Sequence, residues 1–125
     1  MSLNNIEDIA AFIVADGKGI LAADESNPTC GKRFDSIGVE STEENRRDYR
    51  ELLFRSKGMK DNIGGVILFD ETIRQSAKDG TLLRDLIINQ GALPGIKVDK
   101  GLQPLEDCPG AVSYTHLTLP TSFLV

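Results

Sequence analysis

The chain has 125 residues, enough for one ordinary domain but short of a closed eight-stranded β/α barrel, which takes about 250. Hydrophobic residues make up 40% and charged residues 26%, a balance that excludes a disordered chain. A formal net charge of −5 argues against nucleic acid or an anionic membrane surface as partner, and neither is expected.

The first element is a helix over residues 5–15. Asn4 and Asn5 are cap residues, Glu7 and Asp8 sit in the favourable first turn, and Ile6, Ile9, Ala10, Ile13 and Val14 share one apolar face. Gly17 suits a left-handed C-cap. An apolar run, Ile20 to Ala23, comes next and stops at Asp24-Glu25-Ser26. A run of this length between glycine and polar punctuation fits a strand buried on both faces, the kind found in parallel sheets covered by helices. Its acids either mark the turn, with Ser26 capping the next element, or carry chemistry at the strand end, where α/β enzymes keep it.

Asn27-Pro28-Thr29 reads as a turn and leads into Cys30-Gly31-Lys32-Arg33-Phe34. This is no Walker A loop, because Ser26 stands where the first glycine belongs and Arg33 replaces the hydroxyl after lysine. A hydroxyl and two cations remain: either a solvated basic turn or, with backbone amides, a holder for one phosphate. Ser41 with Glu44 reads as a capping box opening a helix from 42 to about 56, with Tyr49, Leu52 and Leu53 on its apolar face. Arg46, Arg47 and Arg50 beside them are expected on a solvated or subunit-facing surface.

Gly64 to Phe69 repeats the earlier pattern and runs into Asp70-Glu71-Thr72. Residues 72–79 suggest a short helix, and Leu82, Leu83, Leu86 and Ile87 another, ended by Gly91. Pro94 opens a third strand carrying Ile96, Lys97, Val98 and Asp99, with Lys97 and Asp99 on one face by the two-residue period. A lysine in such a strand needs a partner. Asp99, Asp24 and Asp70 are the candidates, and the alternative is a cationic catalytic or phosphate-holding lysine on an inner face. Three glycine-entered strands ending in charge, with helices between, make successive β/α units of an α/β fold.

Five blocks in order carry a resemblance: GKGILAADES (17–26), CGKRF (30–34), STEENRRDYRELLF (41–54), GGVILFDET (64–72) and GIKVDKGL (95–102). At these separations the chain resembles class I fructose-bisphosphate aldolase, the Schiff-base type, over roughly residues 4–105. The resemblance implies the first three or so units of a (β/α)8 TIM barrel. It also implies reversible cleavage of fructose 1,6-bisphosphate to dihydroxyacetone phosphate and glyceraldehyde 3-phosphate in glycolysis or gluconeogenesis, without metal or other cofactor. It assigns Asp24 to the active-site aspartate near C4 of the substrate and Lys97 to a cationic barrel lysine. Thr29, Lys32 and Arg33 fall on the phosphate-contacting segment. The family's Schiff-base lysine lies on a later strand, and Lys18, Lys32, Lys57, Lys60, Lys78, Lys97 and Lys100 do not match its motif, so the 125 residues alone are expected to be inactive. The resemblance implies homotetramers. An alternative is a non-catalytic chain that binds a phosphorylated ligand or an aldolase subunit through Asp24, Lys32 and Arg33.

Residues 1–110 form one incomplete domain in this reading. Residues 111–125 contain no Asp, Glu, Lys or Arg and are set apart as a tail foreign to the family, expected to be artefactual or disordered, so its His116 receives no catalytic role. Cys30 and Cys108 lack metal-ligand spacing and are expected to be reduced structural thiols. With no secretory signal or apolar span read, the cytoplasm is the expected compartment.

Overall fold

A computed structural model of the protein describes residues 3–104, 110 and 112–116. Helix α1 (Ile6–Ile13) leads into strand β1 (Gly19–Ala23), then α2 (Asn27–Asp35), α3 (Glu43–Phe54) and the short α4 (Gly58–Asn62). Strand β2 (Ile63–Leu68) is followed by α5 (Asp70–Ile73), α6 (Leu83–Asn89) and β3 (Leu93–Ile96). β1, β2 and β3 form one parallel sheet in sequence order, the arrangement expected of consecutive units of a partial α/β barrel. β4 (Asp99–Pro104) and β5 (Val112–His116) make a separate antiparallel pair.

Alternation divides the sheet into two faces. Ala23, Val66 and Leu68 are buried with Phe54, Leu83 and Ile87 of α3 and α6, so helices cover one side and build the core. On the opposite side Ile20 is 48% exposed, and Ala22 and Gly95 are exposed as well. Among the described residues α1 approaches that side. Its Ile9 and Ile13 line an apolar hollow with Ile20, Ile67, Leu93 and Pro94. Gly64 permits the approach: a Cβ built there would lie 2.3 Å from the Ile13 carbonyl oxygen.

The caps explain most boundaries. Asn5 accepts the Asp8 amide at 2.8 Å, as expected for the start of α1. Gly17 does take a left-handed conformation (φ 75°), but in the turn before β1 rather than at the C-cap, which is Val14. α3 is capped one residue later than expected. Thr42, not Ser41, accepts the Asn45 amide at 3.0 Å, because both Ser41 oxygens are taken by Arg46. Its buried face is Arg50 and Phe54 rather than the expected Leu52, which is 75% exposed.

Three further expectations are corrected. Asn27-Pro28-Thr29 is the first turn of α2 and not a loop, because Pro28 sits where a helix has no use for an amide hydrogen, and Ser26 supplies the extended cap. The helix expected over 72–79 ends at Ile73. Beyond it Ser76 bridges Leu82 around a turn at Gly80 (φ 90°). The third strand stops three residues before Asp99 in its parallel part: pairing ends at Ile96, and Asp99 opens β4. Lys97 and Asp99 therefore do not share a strand face.

β5 lies inside residues 111–125, the segment set apart on composition. Residues 105–109, 111 and 117–125 lie outside the described residues, Cys108 among them. Cys30 is a free, buried thiol. Among the described residues no helix is long and apolar enough to cross a membrane.

Candidate active site

Register builds the site. Ala22, Ile67 and Gly95 form one row across the sheet. Two residues further, past the strand ends, the corresponding positions are Asp24, Phe69 and Lys97 on the open side. The Lys97 amide still donates to the Leu68 carbonyl at 2.9 Å, which fixes its backbone to β2. Its ammonium lies 3.9 Å from Asp24 Oδ2, with side chains 31% and 26% exposed. Of the three acids considered for Lys97, Asp24 is the partner.

Glu25 turns the other way. Its carboxylate accepts from the Tyr49 hydroxyl at 3.0 Å and pairs with Arg33, and its side chain is 9% exposed. Arg50 reaches the same place from α3 and is 1% exposed. Its Nε donates to the Ala23 carbonyl at 3.1 Å, Nη2 to the Glu25 carbonyl at 2.9 Å and Nη1 to Cys30 Sγ at 3.3 Å. The Glu25 carboxylate stands 3.7 Å away as countercharge, and the Tyr49 ring centroid lies 5.3 Å from the guanidinium carbon. Burial raises the Tyr49 phenol above its ordinary pKa, with the hydrogen bond to Glu25 acting in the same direction.

The second acid pair repeats this division. Glu71 accepts a bidentate contact from Arg46 at 2.8 and 2.9 Å, while Asp70 pairs with Arg74 at 2.8 Å. The Arg46 hydrogen bonds hold the Glu71 carboxyl below its ordinary pKa and raise that of Arg46 in turn. Arg46 and Arg50 are thus internal struts one helical turn apart, not the solvated or subunit-facing surface expected of them. Arg47, by contrast, pairs locally with Asp48 at 2.8 Å.

The residues expected to hold phosphate all lie on α2. Arg33 has a side chain 59% exposed and faces Glu25, the neighbour of Asp24. Thr29 Oγ1 is 3.1 Å from Ser26 Oγ, and Lys32 is exposed. The fold therefore brings Lys97 to Asp24 and Arg33 to Glu25, while Thr29 pairs within its own helix turn. The sequence reading gives no site role to Tyr49, Arg50, Arg46 and Glu71, and leaves Glu25 between turn marker and chemistry. The signal for them was the doubled Asp-Glu, with two arginines four apart on the intervening helix.

Comparison with known proteins points the same way. The family model described as fructose-bisphosphate aldolase class-I matches residues 5–116, running six residues beyond Gly110. The chain is 54% identical over 110 residues to a "probable fructose-bisphosphate aldolase class 1" of Xanthomonas campestris pv. campestris, covering 88% of this chain and 33% of that protein. It is 56% identical over 103 residues to a fructose-bisphosphate aldolase of Drosophila melanogaster, covering 82% and 28%. A solved structure of Plasmodium falciparum fructose-bisphosphate aldolase, in complex with TRAP and a small-molecule inhibitor, superposes with a TM-score of 0.80 at 47% identity, over 86% of this chain and 31% of that one. The chain spans about a third of the length of the relatives it matches.

Proposed function

The chain belongs to the class I fructose-bisphosphate aldolase family, and from that premise we propose that it forms the first three β/α units of a barrel that reversibly cleaves fructose 1,6-bisphosphate. The observation that carries the reading is the meeting of Asp24 and Lys97 at the carboxyl ends of β1 and β3, on the open face of the sheet. In a β/α barrel that end holds the chemistry.

In the reaction a lysine amine adds to the substrate ketone, the ketone oxygen leaves as water, and the resulting iminium withdraws electrons so that the carbon–carbon bond breaks. Asp24 handles the C4 hydroxyl proton, which requires a carboxylate held at hydrogen-bonding reach. Lys97 orients that carboxylate and adds positive charge for an anionic substrate. Arg33 takes one phosphate by exchanging Glu25 for it, with Thr29 and Lys32 beside it on α2. The nucleophile belongs to a strand outside these residues, so none of Lys18, Lys32, Lys57, Lys60, Lys78, Lys97 and Lys100 forms the Schiff base. Cytoplasmic glycolysis or gluconeogenesis and a homotetramer belong to the same reading.

The test is borohydride trapping with dihydroxyacetone phosphate on the complete barrel protein. The expected adduct lies on a lysine other than those seven. A stoichiometric adduct on Lys97 or Lys100 would overturn the assignment. Phosphate-dependent thermal stabilisation of the complete protein without any adduct would favour a non-catalytic phosphate binder instead.

A further inference from the structure

We propose that Arg50 is the positioning residue for Asp24: its guanidinium spans the carbonyls on either side of the aspartate and fixes the direction in which that carboxylate meets Lys97. The inference rests on the function proposed above and adds a residue to its machinery.

The backbone at Asp24 needs such a device. The β1–β2 pairing ends at Ala23 with Leu68, so Asp24 and Glu25 continue past the sheet without a strand partner among the described residues. A chain end of this kind is free to swing unless something outside the ladder holds it. Arg50 does so from the covered side, with Nε on the Ala23 carbonyl and Nη2 on the Glu25 carbonyl, at 3.1 and 2.9 Å. These are the residues immediately before and after Asp24. Arg50 makes no contact with the open face itself. It is 1% exposed, and its third nitrogen is committed to Cys30 Sγ.

The donor geometry sets Arg50 apart from an ordinary ion-pair arginine. Its hydrogen bonds go to two main-chain carbonyls and a thiol, while the nearest carboxylate oxygen, Glu25 Oε1, stands at 3.7 Å. Only a planar fork can serve three acceptors in one plane; a lysine ammonium at the same point retains charge but cannot bridge both carbonyls. The Tyr49 ring against the guanidinium and the Tyr49 hydroxyl on Glu25 complete the brace.

A carboxylate displaced by about 1 Å loses on the order of a hundredfold in rate. In the complete protein, Arg50→Lys is therefore expected to lower kcat for fructose 1,6-bisphosphate cleavage by about a hundredfold, with KM changed less than about threefold. Borohydride trapping with dihydroxyacetone phosphate remains, because the nucleophile is untouched. The double variant Asp24→Asn/Arg50→Lys is expected to be no slower than Asp24→Asn alone, since Arg50 acts through Asp24. Losses that multiply, or a kcat for Arg50→Lys within about twofold of wild type, would overturn the proposal. If Arg50→Lys does not fold, Tyr49→Phe carries the test. It removes one hydroxyl from the brace and is expected to lower kcat by about threefold to tenfold at unchanged KM; an unchanged kcat overturns the proposal. A wild-type protein that shows no aldolase activity and traps no adduct defeats the functional reading, whereas an active wild type with an indifferent Arg50 defeats only this one.

Discussion

Lys97 and Asp24 stand 3.9 Å apart although β2 runs between their strands. Two strand spacings are about 10 Å, so the contact requires the full length of the lysine side chain laid across the sheet end. Both groups are partly solvated, and a pair of this kind contributes about 0–1 kcal/mol to stability. Its significance is in placement rather than in folding.

Asp24→Ala is accordingly expected to leave the melting temperature of the complete protein within a few degrees of wild type. Turnover of fructose 1,6-bisphosphate should fall by about 10²–10⁴-fold, the range for loss of a positioned proton-transfer group. Steady-state kinetics beside a thermal melt checks both. Loss of the fold together with the activity would assign Asp24 to structure instead.

Acid should act through Glu71. Its carboxyl titrates below the ordinary value of 4.5 because Arg46 donates two hydrogen bonds to the ionised form. Between the folded and unfolded pKa values the unfolded chain binds more protons, so the stabilisation is complete above the ordinary value and disappears as pH falls through the folded one. Glu71→Gln removes this dependence. Wild type should be the more stable by about 1–3 kcal/mol near neutrality, and the two curves should converge in strong acid. Urea midpoints measured from pH 7 downward test the convergence.

Gly64 and Gly19 lie in neighbouring strands and should differ sharply in their tolerance of alanine. A Cβ on Gly64 meets the Ile13 backbone, with its carbonyl oxygen at 2.3 Å and Cα at 2.9 Å, so α1 must move off the sheet. At Gly19 the nearest atom is 4.0 Å away. Gly64→Ala is expected to cost about 3 kcal/mol in urea unfolding, and Gly19→Ala under about 1.

The α3 cap separates two adjacent hydroxyls. Thr42→Ala removes the acceptor of the Asn45 amide and should cost about 1 kcal/mol. Ser41→Ala should cost less, because Arg46 keeps the Ser41 carbonyl at 2.8 Å and both Glu71 oxygens. Thermal melts of the two variants give the order, and the reverse order would return the cap to Ser41.

Much of this fold could be read along the chain, because the forces involved are local. An apolar run bounded by glycine and acids marks β1 and β2, and Asn5 below the Ile9 and Ile13 stripe marks α1. The same local reading failed at Asn27-Pro28-Thr29, where a turn-forming tripeptide is equally suited to a first helical turn. It failed again past Ile96, where an antiparallel partner at Val112–His116 decides what Asp99 joins.

Strand order, the acid ending of β1 and the chemical kinds of residue near it were determined by sequence alone. Only the tertiary structure decided that Asp24 faces Lys97, that its neighbour Glu25 turns away, that Arg50 is a buried strut and that the half-buried Arg46 is tied to Glu71. The reason is physical. Periodicity records which face a residue occupies. Which of several acids a cation meets depends on the sheet register and on the lowest-cost way to desolvate that charge, and both are set by residues 20 or more positions away.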